Sequence, residues 1–182
     1  MIDNPTPRDV LDFWRKAGPA RWFAQDRDFD ANLRWTFFGA HQAAAWGVLE
    51  DWRNDHESAL ALILLLDQFP RNIFRGLARA FGTDAQARDV AAQAIDRGFD
   101  ALYEVPLKRF FYLPAMHSED LRDQDFCLEK CRAANDADGV KFAEIHRDII
   151  ARFGRFPHRN RLLGRQTTPQ EQAFLDAGGF AG

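Results

Sequence analysis

Residues 59–66 form an unbroken apolar run, Ala-Leu-Ala-Leu-Ile-Leu-Leu-Leu, and this run constrains the fold more than any other stretch. A helix that is apolar on all sides has no face to offer to water, so other elements have to surround it. Ser58 stands ahead of the run, where a hydroxyl can cap a helix, and Asp67 and Gln68 follow it directly. The run is far shorter than the roughly 18 residues needed to cross a bilayer. It therefore predicts the buried central helix of a globular core, with no membrane association. A chain of 182 residues that is 46% hydrophobic and 13% aromatic can surround such a helix, and residues 1–182 are read as a single helical domain.

The punctuation elsewhere is also helical. Thr6-Pro7 opens a first helix that runs to about Lys16 before Gly18. Asp26 can cap a second, in which Phe29, Leu33, Phe37, Ala40 and Ala44 recur at helical spacing up to Gly47. Thr83 with Gln86 reads as a capping box for a helix ending at Gly98, and Pro106 starts a short segment that Pro114 stops. Ser118 with Glu119 and Asp120 predicts a helix to about Ala134. Val140–Phe153 predicts another, closed by Gly154, and Thr168-Pro169-Gln170-Glu171 caps a last one. No stretch alternates with the two-residue period of a half-buried strand. The fold class expected is all-α, with residues 1–5, 135–139 and 177–182 loose.

A net charge of −3 and a pI near 5.9 leave no overall positive field, which argues against nucleic acid as a partner. The polar start Met1-Ile2-Asp3-Asn4-Pro5 does not resemble a secretion signal. Cys127 and Cys131, four residues apart with no CxxC pair, read as free thiols in a reducing compartment, so a cytoplasmic location is expected.

One phrase occurs twice: Phe69-Pro70-Arg71-Asn72 and Phe156-Pro157-His158-Arg159-Asn160. Read as a proline elbow that starts a new helical turn, each puts arginine where the helix dipole is positive, so something negative is expected opposite it. Asp67, at the end of the apolar helix, needs a cation, from Arg71 or from Arg159. A buried pair that merely fixes two helix ends is the alternative. His146 falls on the Phe142, Ile145, Ile149, Phe153 side of its helix and so points inward, as a base, a ligand or a hydrogen-bonded core residue. His117-Ser118-Glu119 groups reactive side chains without a nucleophile elbow, and Ser118 reads as a helix cap. Without HExxH or a related pattern, no metal and no cofactor are expected. Between His146 and Arg165 stand Arg147, Arg152, Arg155, Arg159, Arg161 and Arg165, with Asp148 as the only acid. Trp35 and Phe38 fall off the apolar stripe of their helix, where they cover another helix or form a partner surface.

The combined text of Leu66-Asp67-Gln68-Phe69-Pro70-Arg71-Asn72, of Tyr112-Leu113-Pro114-Ala115-Met116-His117-Ser118-Glu119, and of His146 through Asn160 resembles domain-of-unknown-function family 924. The likeness extends from Val10-Leu11-Asp12-Phe13-Trp14 to Phe174-Leu175. It implies antiparallel helix pairs stacked in a right-handed array like that of tetratricopeptide repeats, although the 34-residue repeat pattern itself is missing. It implies no reaction.

Together these readings predict a pocket that binds a small anionic or polar ligand. Its residues would be Asp67, Gln68, Arg71 and Asn72 from the first elbow; His117, Ser118, Glu119 and His146; and Arg155, His158, Arg159 and Asn160 from the second. A hydrolase or transferase using His117 or His146, with Asp67 as a further catalytic candidate, is the first alternative. An interaction module, or a homodimer through Trp35 and Phe38, is the second.

Overall fold

The computed structural model describes residues 5–180. Every regular element among them is helical: α1 (Pro7–Ala17), α2 (Pro19–Trp22), α3 (Arg27–Ala45), α4 (His56–Leu66), α5 (Gln68–Ile73), α6 (Asp84–Asp96), α7 (Leu113–Met116), α8 (Leu121–Ala133), α9 (Ala137–Phe153) and α10 (Pro169–Asp176), with short 3-10 turns between them. None of these helices is long and apolar enough to cross a membrane. The chain forms two compact units, one of Met1–Arg75 with Arg79–Pro114, the other of Gly76–Ala78 with Ala115–Gly182.

In the first unit α4 is the central helix, and all of Ala59–Leu66 is buried. It packs against α1, α3, α5, α6 and the 3-10 turn Glu50–Asn54. Each buried leucine contributes about 1.5–3 kcal/mol, which makes this helix the main source of hydrophobic stabilisation in the unit. The rings of Phe13, Trp14, Phe29, Phe37, Phe69 and Phe110 pack on one another beside it. The Gly18–Pro19 break holds a single helical turn, α2, that the sequence reading lacks. The Trp22 indole N–H donates to the Trp14 carbonyl at 2.6 Å and stacks on the Trp14 ring, which secures it.

Several boundaries differ from the expected ones because a side chain found a stronger partner. Asp55, not Ser58, caps α4: its carboxylate accepts from the Glu57 and Ser58 backbone N–H groups, and Ser58 Oγ donates to it at 2.6 Å. Replacing Asp55 by alanine is expected to cost about 1 kcal/mol and Ser58 by alanine about half that or less. Thermal unfolding of the two variants decides it, and a larger loss for Ser58→Ala would return the cap to Ser58. Thr83 and Gln86 form no capping box. Thr83 Oγ1 donates to the Leu66 carbonyl at the end of α4, and Gln86 Nε2 to the Ala45 carbonyl at the end of α3, so both serve the orphaned carbonyls of other helices. Pro114 lies inside α7 rather than stopping the preceding turn.

In the second unit α8 and α9 form an antiparallel hairpin, with Asp125 opposite Arg147 near one end and Arg132 opposite Glu144 near the other. Asp120 caps α8, and Ser118 stands two residues outside it. Residues 135–139 are ordered rather than loose. Asn135 adopts a left-handed φ of 53°, and buried Asp136 caps α9 by accepting from Gly139 N. A Cβ at Gly139 would lie 2.5 Å from that carboxylate, so any larger residue there would have to displace the cap. The expected loose ends, residues 1–5 and 177–182, lie partly outside the described residues. Within them Ala177–Gly179 close α10 through bonds to the Ala173, Phe174 and Leu175 carbonyls.

Candidate functional site

The first-elbow residues are all tied into the packing of their own unit. The chain breaks at Asp67, which ends α4 and precedes α5, so Pro70 sits in the first turn of α5 and Arg71 in its last turn. That corrects the expected misplaced charge: at a helix end arginine suits the dipole. Arg71 Nη1 stands 3.4 Å from the fully buried Asp67 carboxylate and donates to the Asp67 carbonyl, while its fork takes Asp84 at 2.9 and 3.2 Å. Gln68 Nε2 donates to Asp67 Oδ2 at 2.6 Å. Asn72 Nδ2 donates to Asp30, which also accepts two bonds from Arg75. The cation expected for Asp67 is therefore Arg71, and the arrangement anchors α5 to α3 and α6.

In the second unit two imidazoles, His146 and His158, pack on the same two phenylalanines, and a third, His117, stands beside His146. His146 projects from the buried side of α9, but Phe142 and Ile145, expected beside it, are exposed; the inward stripe is Gly139, Ala143, His146, Ile149 and Ile150. The His146 ring lies 5.5 Å from Phe156, 4.5 Å from Phe180 and 6.5 Å from His117. His158 stands 5.6 Å from Phe156 and 5.4 Å from Phe180. The buried Arg159 guanidinium lies 4.5 Å from the centre of the Phe156 ring. His146 Nδ1 meets the Phe142 carbonyl at 2.8 Å, so the neutral ring carries its proton there and presents Nε2 as the acceptor. Burial, reinforced by His117 and Arg159, pushes His146 down to about 3. Burial and then Arg159 push His158 down to about 4 against the opposing pull of Glu119. Both rings are neutral at pH 7, and His158 Nδ1 is buried without a hydrogen-bond partner.

Around this group the carboxylates are occupied. Glu119 accepts the Phe156 backbone N–H at 2.8 Å and takes the Arg165 fork at 2.6 and 3.0 Å. Glu171 takes the Arg155 fork at 2.6 and 2.8 Å and accepts from Asn160 at 3.2 Å. Ser118 Oγ accepts from Asp120 N, and its carbonyl accepts from buried Gln124. The Arg147–Asp125 and Arg152–Asp148 pairs complete the tally for four of the six clustered arginines, and Arg161 is exposed. Local acids thus neutralise most of the charge that the sequence left over. A groove of about 520 Å³ between α8 and α9 is lined by Asp125, Glu129, Glu144 and Asp148 with Arg132, Arg147 and Leu128. It contains none of the expected site residues, and its charge is unsuited to an anion.

The family model of bacterial proteins of unknown function, DUF924, matches residues 10–179. The chain belongs to this family. A solved structure, that of the protein of unknown function ATU0120 from Agrobacterium tumefaciens, is 48% identical over 94% of this chain and 97% of its own, with a TM-score of 0.92. No curated protein matches the chain.

Several polar residues of this DUF924 chain that organise the site were missed in the sequence. Glu171 was legible only as a capping residue, and Arg165 only as one of a cluster. Asp30 and Asp84 lie 42 and 13 residues from their elbow partners, and nothing local signals the pairing. Phe180, directly after the Gly178-Gly179 pair, has no helical pattern to place it against His146.

Proposed function

We propose that the second unit binds a small anionic or polar ligand at the group formed by His117, His146, His158 and Arg159. The observation that supports this most is the gathering of three imidazoles, two of them held neutral by burial, next to a buried guanidinium. Packing needs no titratable ring at these positions, and a buried neutral histidine carries a standing cost at acidic pH. An oxyanion such as phosphate or carboxylate matches this chemistry: Arg159 supplies a charge-assisted fork, and the imidazoles supply donors that gain a proton as the anion arrives. Proton transfer through His146 Nε2 is the enzymatic form of the same reading, of hydrolase or transferase type. The antiparallel α8–α9 hairpin supports stacked helix pairs of the tetratricopeptide kind, and the two buried free thiols suit a reducing cytoplasm.

Thermal unfolding with inorganic phosphate, at ionic strength matched with sodium chloride, tests this. Phosphate at about a hundred times its dissociation constant should add about 2.7 kcal/mol to the wild type. Arg159→Ala should lose that gain while keeping its helical circular dichroism, and His158→Ala should lose part of it. The reading falls if phosphate, sulfate and acetate all leave the wild type unshifted, or if Arg159→Ala responds as the wild type does.

A further inference from the structure

In the first unit, α3 carries a face that its own core does not use. At 100° per residue, Phe29, Leu33, Phe37, Ala40 and Ala44 share the buried side, whereas Trp35, Gly39 and Gln42 fall on the opposite side, which Trp46, the residue that directly follows the helix, continues. Trp35 is 87% exposed and Trp46 77%, and Val48, just beyond the helix, is 69% exposed. Two tryptophans in water on one helix side form an apolar patch of the kind that marks an association surface. Nothing lies within 4 Å of where a Cβ at Gly39 would be, so the stretch between the tryptophans is open and flat.

We infer that this face joins two copies of the chain through an antiparallel α3–α3 contact. Trp35 and Trp46 are equally far from the point midway between Gly39 and Gln42, about 8 Å each at 1.5 Å per residue. A two-fold axis through that point sets Trp35 of each copy against Trp46 of the other, with Gly39 against Gln42 at the crossing. Such a face is complementary to itself, which is the requirement of an isologous dimer. Glycine at the crossing lets the helix axes come within the 8–10 Å of close packing. Tryptophans cover roughly 200 Å² each, so four of them bury about 800 Å² in total. Phe38, Gln42, Ala43 and Val48 bring the contact toward the roughly 1,200 Å² at which stable interfaces begin.

Sedimentation velocity on the full chain, from about 1 µM to about 500 µM, tests the inference. The wild type should change from one copy to two across this range. Trp35→Ala removes two of the symmetric contacts at once and should weaken the dimer by about 100-fold or more. Gly39→Leu should give a monomer with unchanged circular dichroism, since it adds bulk at the crossing and leaves the core side alone. Gln42→Cys, close to the axis, should form a disulfide-linked dimer under mild oxidation, because native Cys127 and Cys131 are fully buried. A wild type that stays monomeric throughout, even if another protein covers the face, overturns the inference. So does a dimer that survives Gly39→Leu, or one in which Gln42→Cys never cross-links. None of these readouts depends on phosphate, so the proposal for the second unit stands or falls separately.

Discussion

Glu171→Ala is expected to lower folding stability by about 2–3 kcal/mol, the cost of leaving several hydrogen-bond donors without the buried carboxylate they share. Glu171 is the N3 acid of the α10 capping box, and its carboxylate accepts the Thr168 backbone N–H at 2.7 Å. The same two oxygens hold both nitrogens of the Arg155 fork and the side-chain amide of fully buried Asn160. Alanine would leave these donors facing each other or a cavity. Arg155 keeps some contact with water and with the Gln166 carbonyl, which places the cost below that of a fully enclosed charge. Glu171→Gln preserves the shape and one acceptor oxygen but not the charge, so it should lose roughly half as much. Denaturant unfolding measures both, and a loss under about 1 kcal/mol for alanine would show that water replaces the carboxylate without difficulty.

What could be read in the sequence was what depends on neighbours along the chain. The all-sided apolar run at residues 59–66 predicts the α4 core, Thr6-Pro7 predicts the capped start of α1, Thr168-Pro169-Gln170-Glu171 predicts the capping box of α10, and Gly154 predicts the end of α9. Each of these is a matter of period, cap or φ within one turn. The capping signals failed where a side chain had a better offer from a distant element: Thr83 bonds to Leu66 and Gln86 to Ala45, neither of which its neighbours reveal. Competition within one turn explains Ser58, since Asp55 carries the stronger acceptor. The elbows taught the same lesson about charge. Counting acids between His146 and Arg165 suggests excess positive charge, but Glu119 and Glu171, outside that window, take Arg165 and Arg155. His146 was legible as inward from its helix side, whereas the company it keeps depends on Phe156 and Phe180, brought in by turns that have no periodicity.

The second unit should lose stability steeply as the pH falls from about 6.5 toward 4. In the unfolded chain His146 and His158 take up protons near pH 6.5, but in the folded chain they stay neutral until about 3 and about 4. Between those limits the unfolded state binds more protons, so unfolding becomes more favourable with each step downward in pH, and the stability present above pH 6.5 is withdrawn. From pH 7 to 4.5 the two rings together account for something on the order of 3–5 kcal/mol. The groups around them do not reverse the sign: Arg159 and Arg165 add to the cost of protonating His158, and Glu119 opposes it without restoring the ordinary value. Below pH 4.5 the carboxylates extend the trend. Arginine and hydrogen-bond partners hold Glu171 down to about 2, so its contribution is present above the ordinary carboxylate range and is lost as the pH falls through it. Denaturant unfolding of the wild type and of His146→Phe across pH 7 to 4.5 is the measurement. The phenylalanine variant should show a shallower slope, by close to one proton, whatever its stability at pH 7. A wild-type stability that is flat over this interval would mean that both rings protonate in the folded chain as freely as in water, and the buried neutral pair would no longer describe this protein.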